Sequence, residues 1–118
     1  MSAVSTGRRA EQAALRFLER KGHRLLAANY RSGPREIDLI TADGGAVVFT
    51  EVKARSGTRY GTPGEFVTRA KRRNLTLAAQ AYLMEHDLLS SAARFDVVEV
   101  YLSDGTIHHI ENAFFAED

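Results

Sequence analysis

Two strand-like segments separated by a glycine turn constrain this chain more than any other feature. The first is residues 37–40 (IDLI), the second is residues 47–53 (VVFTEVK), and residues 42–46 (ADGGA) lie between them. β-Branched residues favour strands, and adjacent glycines supply the positive φ that a two-residue hairpin turn needs. The sequence therefore predicts an antiparallel hairpin.

This hairpin brings two carboxylates and a lysine to one side of a sheet. With residues 44 and 45 in the turn, Asp38 lies directly opposite Glu51; with the turn one residue earlier, the two are diagonal neighbours. Side chains alternate along a strand, so both carboxylates share a face in either register. Lys53, two residues after Glu51, projects from the same face.

These three charged side chains predict a site for a divalent cation. Facing carboxylates repel each other and lose hydration near a core, so a metal ion or a proton must compensate their charge. Mg²⁺ and Mn²⁺ prefer oxygen ligands and complete their coordination with water and phosphate oxygens, which suits phosphodiester hydrolysis. The alternative is a structural ion cluster in which Lys53 neutralises both acids, and the three residues alone leave both interpretations open.

Length and composition predict one domain. The chain has 118 residues, 44% of them hydrophobic, and is expected to form a single globular domain over residues 1–118. It has neither an apolar run long enough to span a membrane nor the apolar core of a secretory signal, so we expect a cytoplasmic protein with no membrane partner. Cysteine is absent, which excludes disulfides and cysteine nucleophiles.

The charges are distributed unevenly along the chain. Fifteen of the sixteen Lys and Arg residues precede position 74, whereas the chain from Glu85 onward has eight acids and a single base, Arg94. The densest basic stretch, from Lys53 to Arg73, flanks the acidic pair and predicts a face that attracts phosphate backbones. For residues 69–73 alone, the alternative is an ordinary solvated helix surface.

Hydrophobic spacing predicts the element order αβββαββ. The expected helices cover about residues 7–21 and 68–86, and the strands outside the hairpin cover about 23–30, 94–102 and 106–111. Lys71 lies one turn before Leu75 and is expected to point towards the sheet. Asp96 is expected to be partly buried with a structural, hydrogen-bonding role. His108 and His109 are adjacent on a strand and therefore point to opposite faces, so they cannot form a metal site together.

Over nearly its whole length the chain resembles the bacterial YraN family of predicted nucleases. The matching segments are GRRAE at 7–11, NYR at 29–31, EIDLI at 36–40, FTEVKAR at 49–55, YG at 60–61 and RFDV at 94–97. Asp38 followed by Glu51 and Lys53 resembles the PD-(D/E)XK signature of restriction-endonuclease-like nucleases. The chain departs from the family at Arg35, where glycine is more frequent, and at Thr50, where a β-branched apolar residue is usual. Neither departure removes a ligand.

The resemblance implies an α/β restriction-endonuclease-like fold with a mixed central β-sheet flanked by helices, similar to archaeal Holliday-junction resolvases. It implies an endonuclease dependent on Mg²⁺ or Mn²⁺ that acts on DNA, with a preference for branched or junction DNA and little sequence specificity. A homodimer is suggested because such resolvases make paired cuts. The competing hypothesis is a weakly catalytic or non-catalytic DNA-binding accessory protein in recombination, repair or DNA uptake, although an intact Asp38, Glu51 and Lys53 favours catalysis.

The same resemblance assigns roles to individual residues. Asp38 and Glu51 are expected to hold the metal, with the backbone carbonyl of Val52 as an additional ligand. Lys53 is expected to orient or deprotonate the attacking water and to offset developing negative charge. Glu11 matches a helix-borne glutamate that completes the site. We assign the phosphate contacts to Arg31, Arg55, Lys71 and Arg72.

Overall fold

The helices and strands follow the predicted order αβββαββ. The computed structural model describes residues 3–55 and 67–117. Its elements are α1 (Ala3–Arg20), β1 (Arg24–Ser32), β2 (Arg35–Asp43), β3 (Ala46–Arg55), α2 (Arg69–Glu85), β4 (Ala92–Tyr101) and β5 (Thr106–Phe114). The glycine-rich connection expected between Ser56 and Gly64 lies outside the described residues.

The five strands form one mixed sheet in the order β1-β2-β3-β4-β5. β3 and β4 are parallel, and the other neighbouring pairs are antiparallel. Parallel neighbours need a long crossover connection, and the segment that contains α2 provides it. A mixed sheet with two helices is consistent with a restriction-endonuclease-like fold and confirms the predicted fold class.

The two helices cover opposite faces of this sheet. Leu39 of β2 belongs to a buried cluster with Leu18 of α1, whereas the next residue, Ile40, belongs to a cluster with Leu75 of α2. Adjacent residues of a strand point to opposite faces, so α1 and α2 lie on different sides. Within the described ranges, no helix is both long enough and apolar enough to cross a membrane.

Two element boundaries differ from the predicted ones. α1 begins at Ala3 instead of near Gly7, because the apolar stripe that marked the helix starts only at Ala10. β5 continues to Phe114 instead of ending near residue 111, and its register with β4 shifts between Phe95 and Val97. An irregularity of this kind interrupts the alternation of side chains. The alternating sequence pattern therefore does not extend over the last residues of β5, and the predicted strand is too short.

Candidate metal and nucleic-acid site

The β2–β3 hairpin places Asp38 opposite Glu51. Its turn consists of residues 44 and 45, and its register runs as far as the pair Leu39 and Thr50. The turn and its register confirm the first of the two registers that the sequence allowed, and continuing that register by one residue brings Asp38 opposite Glu51. Lys53 follows two residues later and shares the face of Glu51.

A hydrogen bond to the backbone fixes the Asp38 carboxylate. The N–H of Val52 donates to Oδ2 of Asp38 over 2.8 Å. This contact lies just beyond the paired residues of the β2–β3 ladder, so the side chain satisfies a backbone donor at the point where strand pairing ends. Asp38 is thereby attached to β3 beside Glu51.

Two lysines from different elements approach a single oxygen of Glu51. The Glu51 residue is 6% exposed, and its Oε2 lies 3.3 Å from Nζ of Lys53 and 3.6 Å from Nζ of Lys71. Lys71 reaches the site from the first turn of α2, where its backbone N–H donates to Oγ1 of the N-cap Thr68. The expectation that Lys71 points towards the sheet is confirmed.

The electrostatics of the site disfavour a negative charge on Asp38. Burial raises the pKa of Asp38 to about 7, and the nearby charges of Glu51 and Glu11 act in the same direction. The Val52 hydrogen bond and the Lys71 charge oppose this rise without cancelling it. Near neutral pH, Asp38 therefore exchanges between its neutral and charged forms, and a bound cation would favour the charged form.

Glu11 lies at the edge of this site. Its Oε1 accepts a hydrogen bond from Nδ2 of Asn29 over 3.1 Å, and its charge acts on Asp38. In residues 3–55 and 67–117, no three Asp, Glu or His side chains come close enough together to hold a metal ion. Two carboxylates are nevertheless the usual protein contribution to a Mg²⁺ site, so Asp38 and Glu51 fit Mg²⁺ or Mn²⁺ with water completing the coordination. The roles of Glu11 and of the Val52 carbonyl remain predictions.

The arginines assigned to phosphate contacts have different surroundings. The Arg31 side chain is 67% exposed and lies 3.9 Å from Glu36. Arg55 donates from Nε to Glu99 over 3.2 Å. Arg72 donates to the carbonyl of Val67 and contacts Glu117, so it also connects the start of α2 to the end of the chain.

Sequence reasoning missed Glu99 beside the site. Glu99 is 2% exposed, pairs in register with Lys53 across the parallel β3–β4 ladder, and holds Arg55 through its Oε2. Its other oxygen lies 3.2 Å from Nδ1 of His108. The alternation of side chains along β4 predicts that Glu99 lies on the same face as Val97. Its closeness to Lys53 depends on the parallel register of β3 with β4, which no local sequence pattern predicts.

A second charged cluster, formed by Arg94, Asp96, His109 and Asn112, lies on the other face of the sheet. Asp96 is fully buried and accepts hydrogen bonds from Arg94, from Nε2 of His109 and from the N–H of Asn112. Burial alone would raise the pKa of Asp96, but these hydrogen bonds outweigh it and lower the pKa. The structure thus gives Asp96 a hydrogen-bonding role, and it separates His109 from His108, which contacts Glu99.

The chain is similar to other proteins over most of its length. The family model described as "Uncharacterised protein family UPF0102" matches residues 10–100, a range that contains Glu11, Asp38, Glu51 and Lys53. A UPF0102 protein of Symbiobacterium thermophilum is 50% identical over 113 residues, covering 93% of this chain and 96% of the relative. A UPF0102 protein of Desulfosudis oleivorans is 44% identical, covering 93% and 89% of the two chains. Another, of Pelotomaculum thermopropionicum, is 43% identical, covering 92% and 93%.

Proposed function

This chain belongs to the uncharacterised UPF0102 family, the YraN family that its sequence resembles, and we propose that it is a metal-dependent endonuclease that hydrolyses phosphodiester bonds in DNA. The proposed cofactor is Mg²⁺ or Mn²⁺. The observation that carries the proposal is the placement of Asp38 beside Glu51 on neighbouring strands, with Nζ of Lys53 3.3 Å from the Glu51 carboxylate. The proposed location is the cytoplasm, and the proposed assembly is a homodimer.

Each residue of the site has a chemical task in this reaction. Asp38 and Glu51 bind the divalent cation, which when bound activates water and stabilises negative charge on the phosphoryl oxygens. Lys53 orients the attacking water and offsets the charge that develops during in-line attack. Glu11 acts from the edge of the site through its charge.

The proposed DNA contacts are electrostatic and do not read bases. Arg31, Arg55, Lys71 and Arg72 are the candidates for phosphate contacts, and such contacts position a duplex without recognising its sequence. This supports little sequence specificity. The proposed preference for branched or junction DNA rests on the family resemblance.

A cleavage assay on purified protein tests the proposal. Linear, nicked, flapped and four-way DNA would be incubated with Mg²⁺ or Mn²⁺ and with wild-type protein, Asp38→Asn or Glu51→Gln. Mutation of a residue that hydrogen-bonds to a metal ligand typically lowers activity by roughly 10- to 100-fold. Loss of a ligand itself should therefore lower the cleavage rate by about 100-fold or more. Glu19→Gln is the matched control, because Glu19 is an exposed glutamate near the end of α1 and should retain the wild-type rate.

Two results would contradict the proposal. Metal-dependent cleavage that persists in both Asp38→Asn and Glu51→Gln would exclude these carboxylates as ligands. Tight binding of branched DNA by a wild-type protein that cuts none of the substrates would favour the DNA-binding accessory protein instead.

A further inference from the structure

Lys71 is a second lysine beside the carboxylates, in addition to Lys53. Its Nζ lies 3.6 Å from Oε2 of Glu51, the same oxygen that Lys53 contacts. The charge of Lys71 also acts on Asp38. The positive charge of Lys71 thus acts on both Asp38 and Glu51, which we call the acidic pair.

A divalent cation bound by the acidic pair would compete with this lysine. An ion held by Glu51 would lie within a few ångströms of the Lys71 ammonium, at a distance where like charges in a partly buried site repel strongly. One of the two lysines would therefore have to move away from Glu51 when the ion binds.

The surroundings of the two lysines indicate that Lys71 is the one that moves. Lys53 lies on β3, where it pairs in register with Glu99 of β4, and its side chain is 27% exposed. The Lys71 side chain is 44% exposed, so its ammonium can regain hydration when it leaves Glu51. The backbone of Lys71 is held by its hydrogen bond to Thr68, so the movement needs only a change of side-chain rotamer.

We propose, on the basis of the proposed function, that Lys71 is a further residue of the metal site that binds Glu51 until a divalent cation displaces it, and that the displaced ammonium then binds a phosphate oxygen of the DNA. Lys71 therefore opposes metal binding and favours cleavage. A lysine that only contacts phosphate would leave metal affinity unchanged, and a lysine that only stabilises the fold would not favour cleavage.

The first test measures Mn²⁺ binding in the absence of DNA at pH 8, by calorimetry or by the paramagnetic signal of free Mn²⁺. Lys71→Gln should bind Mn²⁺ roughly threefold to fivefold more tightly than wild type, the upper part of the range expected for removal of one partly exposed ion pair. Lys21→Gln is the matched control: the Lys21 side chain is 40% exposed, lies 3.7 Å from Glu111 of β5 and contacts Phe17 of α1, whereas Lys71 contacts Glu51. Its Mn²⁺ affinity should stay within about twofold of wild type.

The second test measures single-turnover cleavage at saturating Mn²⁺, where Lys71→Gln should be about tenfold slower than both wild type and Lys21→Gln. Unchanged or weaker Mn²⁺ binding by Lys71→Gln would overturn the inference and leave the proposed nuclease function intact. Cleavage by Lys71→Gln at the wild-type rate would also overturn it. If neither wild type nor Lys71→Gln binds Mn²⁺, the metal site itself is wrong, and the proposed function fails with the inference.

Discussion

Two aspartates show how the surroundings of a carboxyl group decide its role. Asp38 accepts one backbone hydrogen bond next to another carboxylate, and burial raises its pKa to about 7. Asp96 is fully buried, yet donors from His109, Arg94 and Asn112 lower its pKa. Asp96 thus carries a charge that the fold itself compensates, whereas the fold compensates the charge of Asp38 only in part, which supports the proposed metal-binding role of Asp38.

The raised pKa of Asp38 predicts a pH-dependent cost to stability. A carboxyl group whose pKa is higher in the folded protein stabilises the fold below its unfolded-state pKa of about 3.9, and this contribution is lost as the pH rises through about 7. Without metal, Asp38→Asn should therefore raise the free energy of unfolding at pH 8 by on the order of 2 kcal/mol, with little effect near pH 4. Urea unfolding in the presence of a chelator would measure both values.

Asp87→Asn provides the control for this measurement. Asp87 is exposed and has a φ of 58°, which asparagine tolerates well. The free energy of unfolding of this variant should follow wild type within about 0.5 kcal/mol at both pH values. A destabilised Asp38→Asn at pH 8 would show that the fold, and not a ligand, requires the Asp38 charge.

At the scale of elements, the hairpin was predictable because its signals are local. The β-branched runs specify the strands and the glycines specify the turn, so the opposition of Asp38 and Glu51 follows from residues 37–53 alone. β5 was predicted less well, because the irregularity that ends its regular pairing with β4 includes Asn112 at a φ of 51°. This asparagine donates its N–H to the buried Asp96, a tertiary contact that the β5 sequence does not contain.

The hairpin turn also predicts different costs for two neighbouring substitutions. Gly44 has a φ of +61°, whereas Gly45 does not adopt a positive φ, and an added Cβ at either position would meet no atom within 4 Å. Gly44→Ala should therefore lower the free energy of unfolding by about 1 kcal/mol through backbone strain, and Gly45→Ala should change it by less than about 0.5 kcal/mol. Chemical unfolding of both variants measures the difference, and equal costs would contradict this description of the turn.

At the scale of the whole molecule, the sequence predicts which side chains become neighbours within one hairpin. It does not predict which side chains become neighbours when separate strands pair in the sheet. Asp38, Glu51 and Lys53 lie within sixteen residues, so strand alternation was enough to bring them together. Glu99 comes next to Lys53 only through the parallel pairing of β3 with β4, which depends on the crossover between them. The cluster around Asp96 likewise joins β4 and β5 through long-range contacts and could not be assembled from local patterns.

The two faces of the sheet carry charged groups that respond to pH in opposite directions, and this predicts that stability and activity can be changed separately. The lowered pKa of Asp96 means that its charge stabilises the fold above its unfolded-state pKa of about 3.9 and that this contribution is lost as the pH falls. Asp96→Asn should therefore lower the free energy of unfolding at pH 7 by about 2 kcal/mol, because Arg94 and His109 lose their charged hydrogen-bond acceptor, while Arg94 keeps Asp43 and Glu111 as ion-pair partners. The difference from wild type should shrink below pH 4.

Asp96 points away from the face that carries Glu51, since Asp96 alternates with Val97 and Val97 pairs in register with Glu51. The cleavage rate per folded molecule of Asp96→Asn should consequently stay within about twofold of wild type at a temperature where the variant is folded. Urea unfolding at pH 7 and pH 3.5, combined with cleavage measured on the same samples, tests both statements. A variant that kept its stability but lost its cleavage activity would show that Asp96 acts on the site across the sheet, and the separation of the two faces would be wrong.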